Sequence, residues 1–140
     1  MVHRTFKKHD QNIGKYNGIG GKLKCDEDVA AGMIREIMEE TSLTVVSMKL
    51  RGTVSWSNFG PLKQDWLAFV FLIDKFSGNA VASNDEVTLH WTPLTELCNL
   101  PMWKGDKYFL DMVFDANPNL FYGYMSYDGE EPDAWQYTRM

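Results

Sequence analysis

Glu36, Glu39 and Glu40 stand three and four residues apart, Arg35 directly precedes the first of them, and Glu27 lies eight residues before Arg35. Carboxylates at that spacing are neighbours on one face of a helix, where each like-charged pair costs about 0.2–0.5 kcal/mol unless something bridges it. The arrangement therefore calls for a cation. Oxygen donors with no histidine or cysteine in the pattern suit a hard octahedral ion, Mg²⁺ or Mn²⁺, rather than zinc. Magnesium keeps several waters and binds substrate phosphates at the same time, so the chemistry these residues point to is phosphate handling with a divalent metal.

The elements that position them are legible nearby. From Glu27 to Thr41 there is no proline, the acidic run Asp26, Glu27 and Asp28 suits the positive end of a helix, and Ala30, Met33, Ile34 and Ile37 fall at helical spacing. The segment reads as an amphipathic helix whose glutamates lie roughly opposite its apolar stripe. Gly32 sits one turn before Glu36, where glycine costs about 1 kcal/mol relative to alanine, so close approach of another backbone is expected there. Just upstream, Asn17-Gly-Ile-Gly20-Gly21-Lys22 has the composition of a loop whose backbone approaches a phosphate or a metal. Taken singly, a glutamate-rich helix is usually a solvated face and a glycine-rich turn only a turn. Their conjunction at this spacing is what carries the functional reading.

Joined in this order, the residues resemble the Nudix box. The match falls on Gly21, Glu27, Arg35, Glu36, Ile37, Glu39, Glu40 and Leu43, with one departure, Ser42 in place of a helix-closing glycine. A non-glycine residue in the left-handed conformation wanted there costs on the order of 1 kcal/mol. Further segments resemble the MutT-like branch that includes the 8-oxo-dGTP diphosphatases: Lys15 to Lys22, Trp91 after the turn ending at Glu86, Met102-Trp103-Lys-Gly-Asp106, and Phe121-Tyr-Gly-Tyr124. The resemblance implies metal ligation by Glu36, Glu39 and Glu40, completed by the Gly20 carbonyl and the separate Glu86, with Arg35 and Glu27 orienting the helix. Water would attack phosphorus, and a glutamate of the cluster or Glu86 would take its proton.

The base side follows in the same way. The resemblance implies that Asn17 and Asp106 hydrogen-bond a purine edge, that Trp103 stacks on its face and that Trp56 lines the far side, while Gly20, Gly21 and Lys22 serve the phosphates. Where the human-type enzymes carry an acid next to Asp106, this chain has Gly105. Read without the resemblance, Trp103 is a packing anchor, Asp106 a helix N-cap, Glu86 one acid in a polar turn and Trp56 a strand residue.

The implied activity is Mg²⁺-dependent hydrolysis of oxidised purine nucleoside triphosphates, such as 8-oxo-dGTP, to the monophosphate and pyrophosphate, a sanitation of the nucleotide pool linked to DNA repair. Its rivals are a Nudix hydrolase of ADP-ribose or of an ordinary dNTP, and a non-catalytic nucleotide sensor. Kinship alone does not fix a substrate.

Composition bounds these readings. At 140 residues and 44% hydrophobic, with five tryptophans, the chain is expected to form a single domain, 1–140, with a proper core. A net charge of −5 argues against binding nucleic-acid polymers, which need a basic footprint, whereas a single nucleotide brought with magnesium meets no such objection. Cys25 and Cys98 have no metal-type spacing and form no disulfide framework, which fits a reducing cytoplasm. No apolar run reaches a membrane span, and the charged start lacks a signal peptide's apolar core. A monomer or homodimer is expected.

The wider pattern is that of an α/β Nudix fold, a mixed sheet sandwiched between helices. Strands are expected at 45–56, 64–74, 86–92 and 121–127 and a second helix at 107–116, with turns at Phe59-Gly-Pro61 and Ser77-Gly-Asn79 and a loose acidic turn from Asp128 to Asp133. In relatives a hydrophobic strand precedes the segment corresponding to Met1-Val-His-Arg4. The family's first strand is thus expected to be missing here, through a late recorded start or with an open sheet edge that a partner chain covers.

Overall fold

The computed structural model describes residues 1–4, 14–83 and 87–140. In chain order these form β1 (Val2–Arg4), β2 (Tyr16–Asn17), α1 (Val29–Thr41), β3 (Thr44–Phe59), β4 (Gln64–Ser77), β5 (Val87–Leu89), a 3₁₀ helix (Leu94–Asn99), α2 (Asp106–Phe114), β6 (Phe121–Asp128) and β7 (Glu131–Arg139). They divide into two compact units, residues 1–47 with 73–102 and residues 48–72 with 103–140. Among the described residues no helix is long and apolar enough to cross a membrane. Cys25 and Cys98 are exposed free thiols.

In the first unit α1 starts two residues later than expected. Asp28 is the N-cap, its carboxylate accepting from the Ala31 N–H at 2.8 Å, so the acidic run lies ahead of the first turn rather than in it. Asp26 takes a left-handed φ of 65°. The helix ends at Ser42, whose φ of 62° is the left-handed cap the sequence anticipates, with its N–H bonded to the Met38 carbonyl at 2.9 Å. The buried stripe differs from the expected one. Ile37, Thr41, Gly32 and Glu40 are buried, whereas Ile34 is exposed; Glu40 therefore belongs to the packed face and not to a solvated acidic one. Gly32 is crowded by side chains and not by another backbone, since a Cβ there would lie 2.6 Å from Leu23 Cδ2.

β1 is paired on both of its sides in a sheet of order β2-β1-β5, with Val2 opposite Asn17 on one flank and Leu89 on the other. β5 ends at Leu89, short of the expected residue 92, and residue 86 lies outside the described residues.

The second sheet has the order β4-β3-β6-β7. It is mixed, as expected of this α/β class: β3 runs parallel to β6, with Gly52 opposite Phe121, and β6 runs antiparallel to β7. In the second unit Val54, Phe121 and Met125 are fully buried and form a core with Trp103, Phe109, Val113 and Tyr127, against which Val70 and Leu72 of β4 pack. Along β4 exposure alternates from Trp66 to Val70, with Leu67 and Phe69 exposed and Trp66, Ala68 and Val70 half-buried, while Phe71 is half-buried as well.

The tail is a correction. Instead of a loose acidic turn there is a hairpin, turning at Gly129 with φ 63°, whose second strand β7 pairs along β6 from Glu131 to Arg139. Pro132 is tolerated because β7 is an edge strand, and Trp135 packs against the core cluster.

Arg51, buried on β3, closes the C-terminus of α2. Its Nε donates to the Val113 carbonyl at 2.9 Å and its Nη2 to those of Met112 at 3.1 Å and Asn117 at 3.0 Å. The first two are carbonyls that a helix end leaves without intrahelical partners, and Asn117 lies just beyond the helix. Nothing local in the sequence marks that role.

Candidate functional site

The acidic cluster of the first unit is organised around Arg35. Its guanidinium grips Glu27 through two bonds, Nε to Oε2 at 2.9 Å and Nη2 to Oε1 at 2.6 Å, the planar fork that lysine cannot reproduce. Nη1 donates to Glu36 Oε1 at 2.7 Å and to Glu39 Oε2 at 3.0 Å, and Nη2 also reaches the Lys22 carbonyl at 3.2 Å. Two of the three box glutamates are thus held on one cation, while the fourth acid, Glu27, anchors that cation to the loop before the helix.

Gly21 is required by this geometry. A Cβ at that position would lie 2.5 Å from Glu36 Cδ and 2.7 Å from Oε2. The glycine lets the loop press its backbone against a carboxylate, which no other residue does without displacing it. At Gly20 a Cβ would meet nothing within 4 Å, so steric demand gives no reason for glycine there. Lys24 holds the loop from its other side, its N–H donating to Glu27 Oε1 at 2.7 Å and its Nζ to Glu39 Oε1 at 3.1 Å.

These bonds set the charges. The Arg35 hydrogen bonds, followed by the Lys24 N–H, hold Glu27 down from an ordinary 4.5 to about 2, and Lys24 followed by Arg35 lowers Glu39. Between those two values the folded chain carries fewer protons on Glu27 than the unfolded one. Glu27 therefore stabilises the fold fully above about pH 4.5 and loses that contribution as the pH falls towards about 2. Glu27→Gln is expected to lower the melting temperature near neutral pH and to flatten its acid decline over that window, measured by thermal melts across pH.

Glu40 is buried, with Arg4 Nη2 at 3.4 Å from its Oε1. The three box glutamates are accordingly divided, two on Arg35 and one facing Arg4. Among the described residues no three acidic, histidine or cysteine side chains gather as a metal site, and Glu86 lies outside the described residues. The donor chemistry itself fits a hard divalent ion, since every candidate atom is an oxygen and the loop that would add a carbonyl already abuts Glu36.

Of the residues assigned to the base, Asn17 sits on β2 in the first unit. Its Oδ1 is buried with no hydrogen-bond partner among the described residues, and its neighbour Tyr16 is fixed by an N–H bond to the Pro101 carbonyl at 2.6 Å. Such an orphaned polar atom is costly unless a ligand completes it.

The others lie in the second unit. Trp103 is 4% exposed, and its carbonyl accepts from the Asp106 N–H at 3.1 Å. Asp106 is the first residue of α2 and not its cap; Gly105 holds the cap position without a side-chain bond. Burial raises the Asp106 carboxyl to about 7, so near neutral pH it is able to present either a donor or an acceptor. Trp56 is half-buried, and its Nε1 is buried with no partner among the described residues.

Two neighbours carry no sequence signal of their own. Tyr127 is buried and its hydroxyl accepts from the Gly105 N–H at 3.1 Å. Phe59, visible in sequence only as the start of a turn, lies 4.9 Å from the Trp103 ring, 5.2 Å from Tyr127 and 6.1 Å from Trp56, centroid to centroid. The structure also accounts for Gly105, where a Cβ would strike Tyr127 Oη and Met125, whose Cε would be 2.9 Å away. Gly105→Asp, which would restore the second acid of the human-type enzymes, is expected to destabilise the fold by about 1–3 kcal/mol through overpacking, measured by chemical denaturation.

Comparison with known proteins gives the family. The family description NUDIX domain matches residues 1–113. The chain is 30% identical over 113 residues to the uncharacterized Nudix hydrolase YvcI of Bacillus subtilis, covering 79% of this chain and 71% of that one. It is 27% identical over 127 residues to the oxidized purine nucleoside triphosphate hydrolase of Danio rerio, covering 90% and 78% of the two chains. Among solved structures, the MutT protein from Bacillus halodurans superposes with a TM-score of 0.77 at 25% identity, over 97% of this chain and 88% of that one. The chain belongs to the Nudix family and is a MutT-like Nudix hydrolase.

Proposed function

We propose that this hydrolase converts purine nucleoside triphosphates, with oxidised purines such as 8-oxo-dGTP preferred, to nucleoside monophosphate and pyrophosphate, and so sanitises a nucleotide pool. The observation that carries the chemistry is the pair of glutamates, Glu36 and Glu39, held on Arg35 with the Gly21 backbone against one of them. The base preference is supported by the buried Asp106 and Trp103 and by the activity named for the Danio rerio and Mus musculus relatives.

Glu36, Glu39, Glu40 and Glu86 would hold Mg²⁺, with the Gly20 carbonyl beside them; Mn²⁺ has the same donor preference. When bound, the ion supplies charge neutralisation of the phosphates and a lowered pKa for water. A glutamate of this set accepts the proton of the attacking water. The oxygen of that water bonds to a phosphorus atom, the bond from that phosphorus to the oxygen bridging the α and β phosphates breaks, and nucleoside monophosphate and pyrophosphate separate. Arg35 and Glu27 position the helix carboxylates throughout. Lys22 serves the phosphates; Asn17 and Asp106 read the base, while Trp103 and Trp56 cover its faces.

The test is a panel of 8-oxo-dGTP, dGTP, other dNTPs and ADP-ribose, with and without Mg²⁺, following pyrophosphate or monophosphate release. The highest kcat/KM is expected on the oxidised purine, with turnover abolished by chelation. Preference for ADP-ribose would overturn the substrate assignment, and binding of a nucleotide with no turnover of any panel member would favour a sensor.

A further inference from the structure

The two arginines that meet the box glutamates do so in different ways. Arg35 takes Glu27 in a two-point fork and extends to Glu36, Glu39 and the Lys22 carbonyl, so it arranges several groups at once. Arg4 meets Glu40 with its Nη2 3.4 Å from Oε1. That distance is at the long end for a hydrogen bond and lacks the bidentate geometry by which arginine fixes a carboxylate in place. What Arg4 brings to Glu40 is charge.

The direction of Glu40 is set by its helix. It lies on the buried face of α1 with Ile37 and Thr41, and Thr41 Oγ1 donates back to the Ile37 carbonyl at 2.5 Å. Arg4 in turn is held by the first sheet. Its N–H donates to the Lys15 carbonyl at 3.2 Å, its own carbonyl accepts from the Gly14 N–H at 2.7 Å, and it stands opposite Val87 on β5. The Arg4 and Glu40 side chains are only 17% and 10% exposed, so salt screens this pair much less than a surface pair. A carboxylate so far out of water is costly unless positive charge stands close to it. A divalent ion and a guanidinium are each able to supply that charge, and they repel one another when both are present.

We propose that Arg4 is a stand-in cation for Glu40, which balances that carboxylate while no divalent ion is bound and opposes the ion when it binds, and so sets how much metal the chain requires. This rests on the reading of Glu40 as a metal ligand. Arg4 acts through Glu40, as a positioning residue for its charge, and not on the substrate. Its two effects are linked. Whatever binds only the folded chain stabilises it in proportion to its affinity, so the stability that Arg4 contributes to the metal-free chain reappears as affinity withheld from the metal. The contrast with Arg35 follows from geometry: losing Arg35 disorders ligands, whereas losing Arg4 removes a competing charge from a ligand that helix packing still directs.

Binding of Mn²⁺ without nucleotide, followed by the electron paramagnetic resonance of the free ion, tests this apart from turnover. Arg4→Met keeps a long stem and removes the charge, and is expected to bind Mn²⁺ about tenfold more tightly than wild type. In a chelator it should melt about 4 °C lower, with the gap closing at saturating Mn²⁺. Arg4→Gln, also neutral, is expected to show the same gain in affinity and serves if the methionine variant unfolds without metal. Arg4→Lys restores the charge and should bind Mn²⁺ within about twofold of wild type, because the contact to Glu40 needs no fork. In turnover, the metal concentration that gives half the maximal rate should fall tenfold or so in the neutral variants, about the same factor as the binding constant.

Unchanged Mn²⁺ affinity in a folded neutral variant, with melting lowered equally in chelator and in Mn²⁺, makes Arg4 a structural residue and overturns the proposal. Weaker Mn²⁺ binding overturns it in the other direction, by showing that Arg4 orients Glu40. A lysine variant that behaves like the neutral ones overturns the role of charge, and a wild-type chain that binds no Mn²⁺ overturns the stand-in together with the metal reading. If the binding and melting results come out as expected while no triphosphate is hydrolysed, the stand-in holds and the proposed catalytic function falls. If triphosphates are hydrolysed with metal and the Arg4 variants bind Mn²⁺ as wild type does, the function holds and the stand-in falls.

Discussion

Glu36→Gln is expected to lower kcat by about 10³-fold, the scale of losing a charged group that holds metal or moves a proton in the reaction. The substitution changes one atom of the side chain and keeps its shape. The glutamine oxygen still accepts from Arg35 Nη1, now 2.7 Å from Glu36 Oε1, and the Gly21 backbone still has room beside it. Thermal melts of the variant should therefore stay close to wild type while turnover of the preferred triphosphate collapses. A matched loss of stability and activity would show Glu36 to be a structural residue. Retained activity would remove it from the reacting groups.

Arg35→Ala is expected to lower metal affinity or kcat/KM by about 10–100-fold, the usual loss when the groups that orient ligands are removed. The guanidinium joins Glu27, Glu36, Glu39 and the Lys22 carbonyl, so its removal frees the loop and two candidate ligands together. Arg35→Lys should recover only part of the loss, since an ammonium supplies the charge without the two-point grip on Glu27. A titration of activity against Mg²⁺ separates the outcomes. A rightward shift with an unchanged plateau means that Arg35 acts by arranging the carboxylates, and a lowered plateau at saturating metal means that it also acts on the reacting groups.

How much of this was visible in the sequence depends on distance along the chain. The box helix was legible because its glutamates rest on spacings of three and four residues, which helix geometry converts directly into neighbourhood. The partnership of Glu27 with Arg35 and the left-handed conformation at Ser42 were implied by the resemblance to the Nudix box and not by spacing. Strands β3, β4 and β6 were legible from alternation and flanking turns. Glu40 shows the limit of helical spacing, which placed it with its fellow glutamates but could not reveal that its face is packed. The strand β7 was hidden because Asp128-Gly-Glu-Glu-Pro-Asp has the composition of a loop, and its order comes from pairing with β6 and from the seating of Trp135. Arg51 and Phe59 have no local signature, since what they touch is brought to them only by the completed sheet.

Arg35 gives the acidic helix a counter-ion of its own. The charge on Glu36 and Glu39 is offset in part within the chain, by Arg35 at both and by Lys24 at Glu39. The chain should hold its shape in a chelator, and a divalent ion arriving with its nucleotide would have to compete with one guanidinium for those two carboxylates.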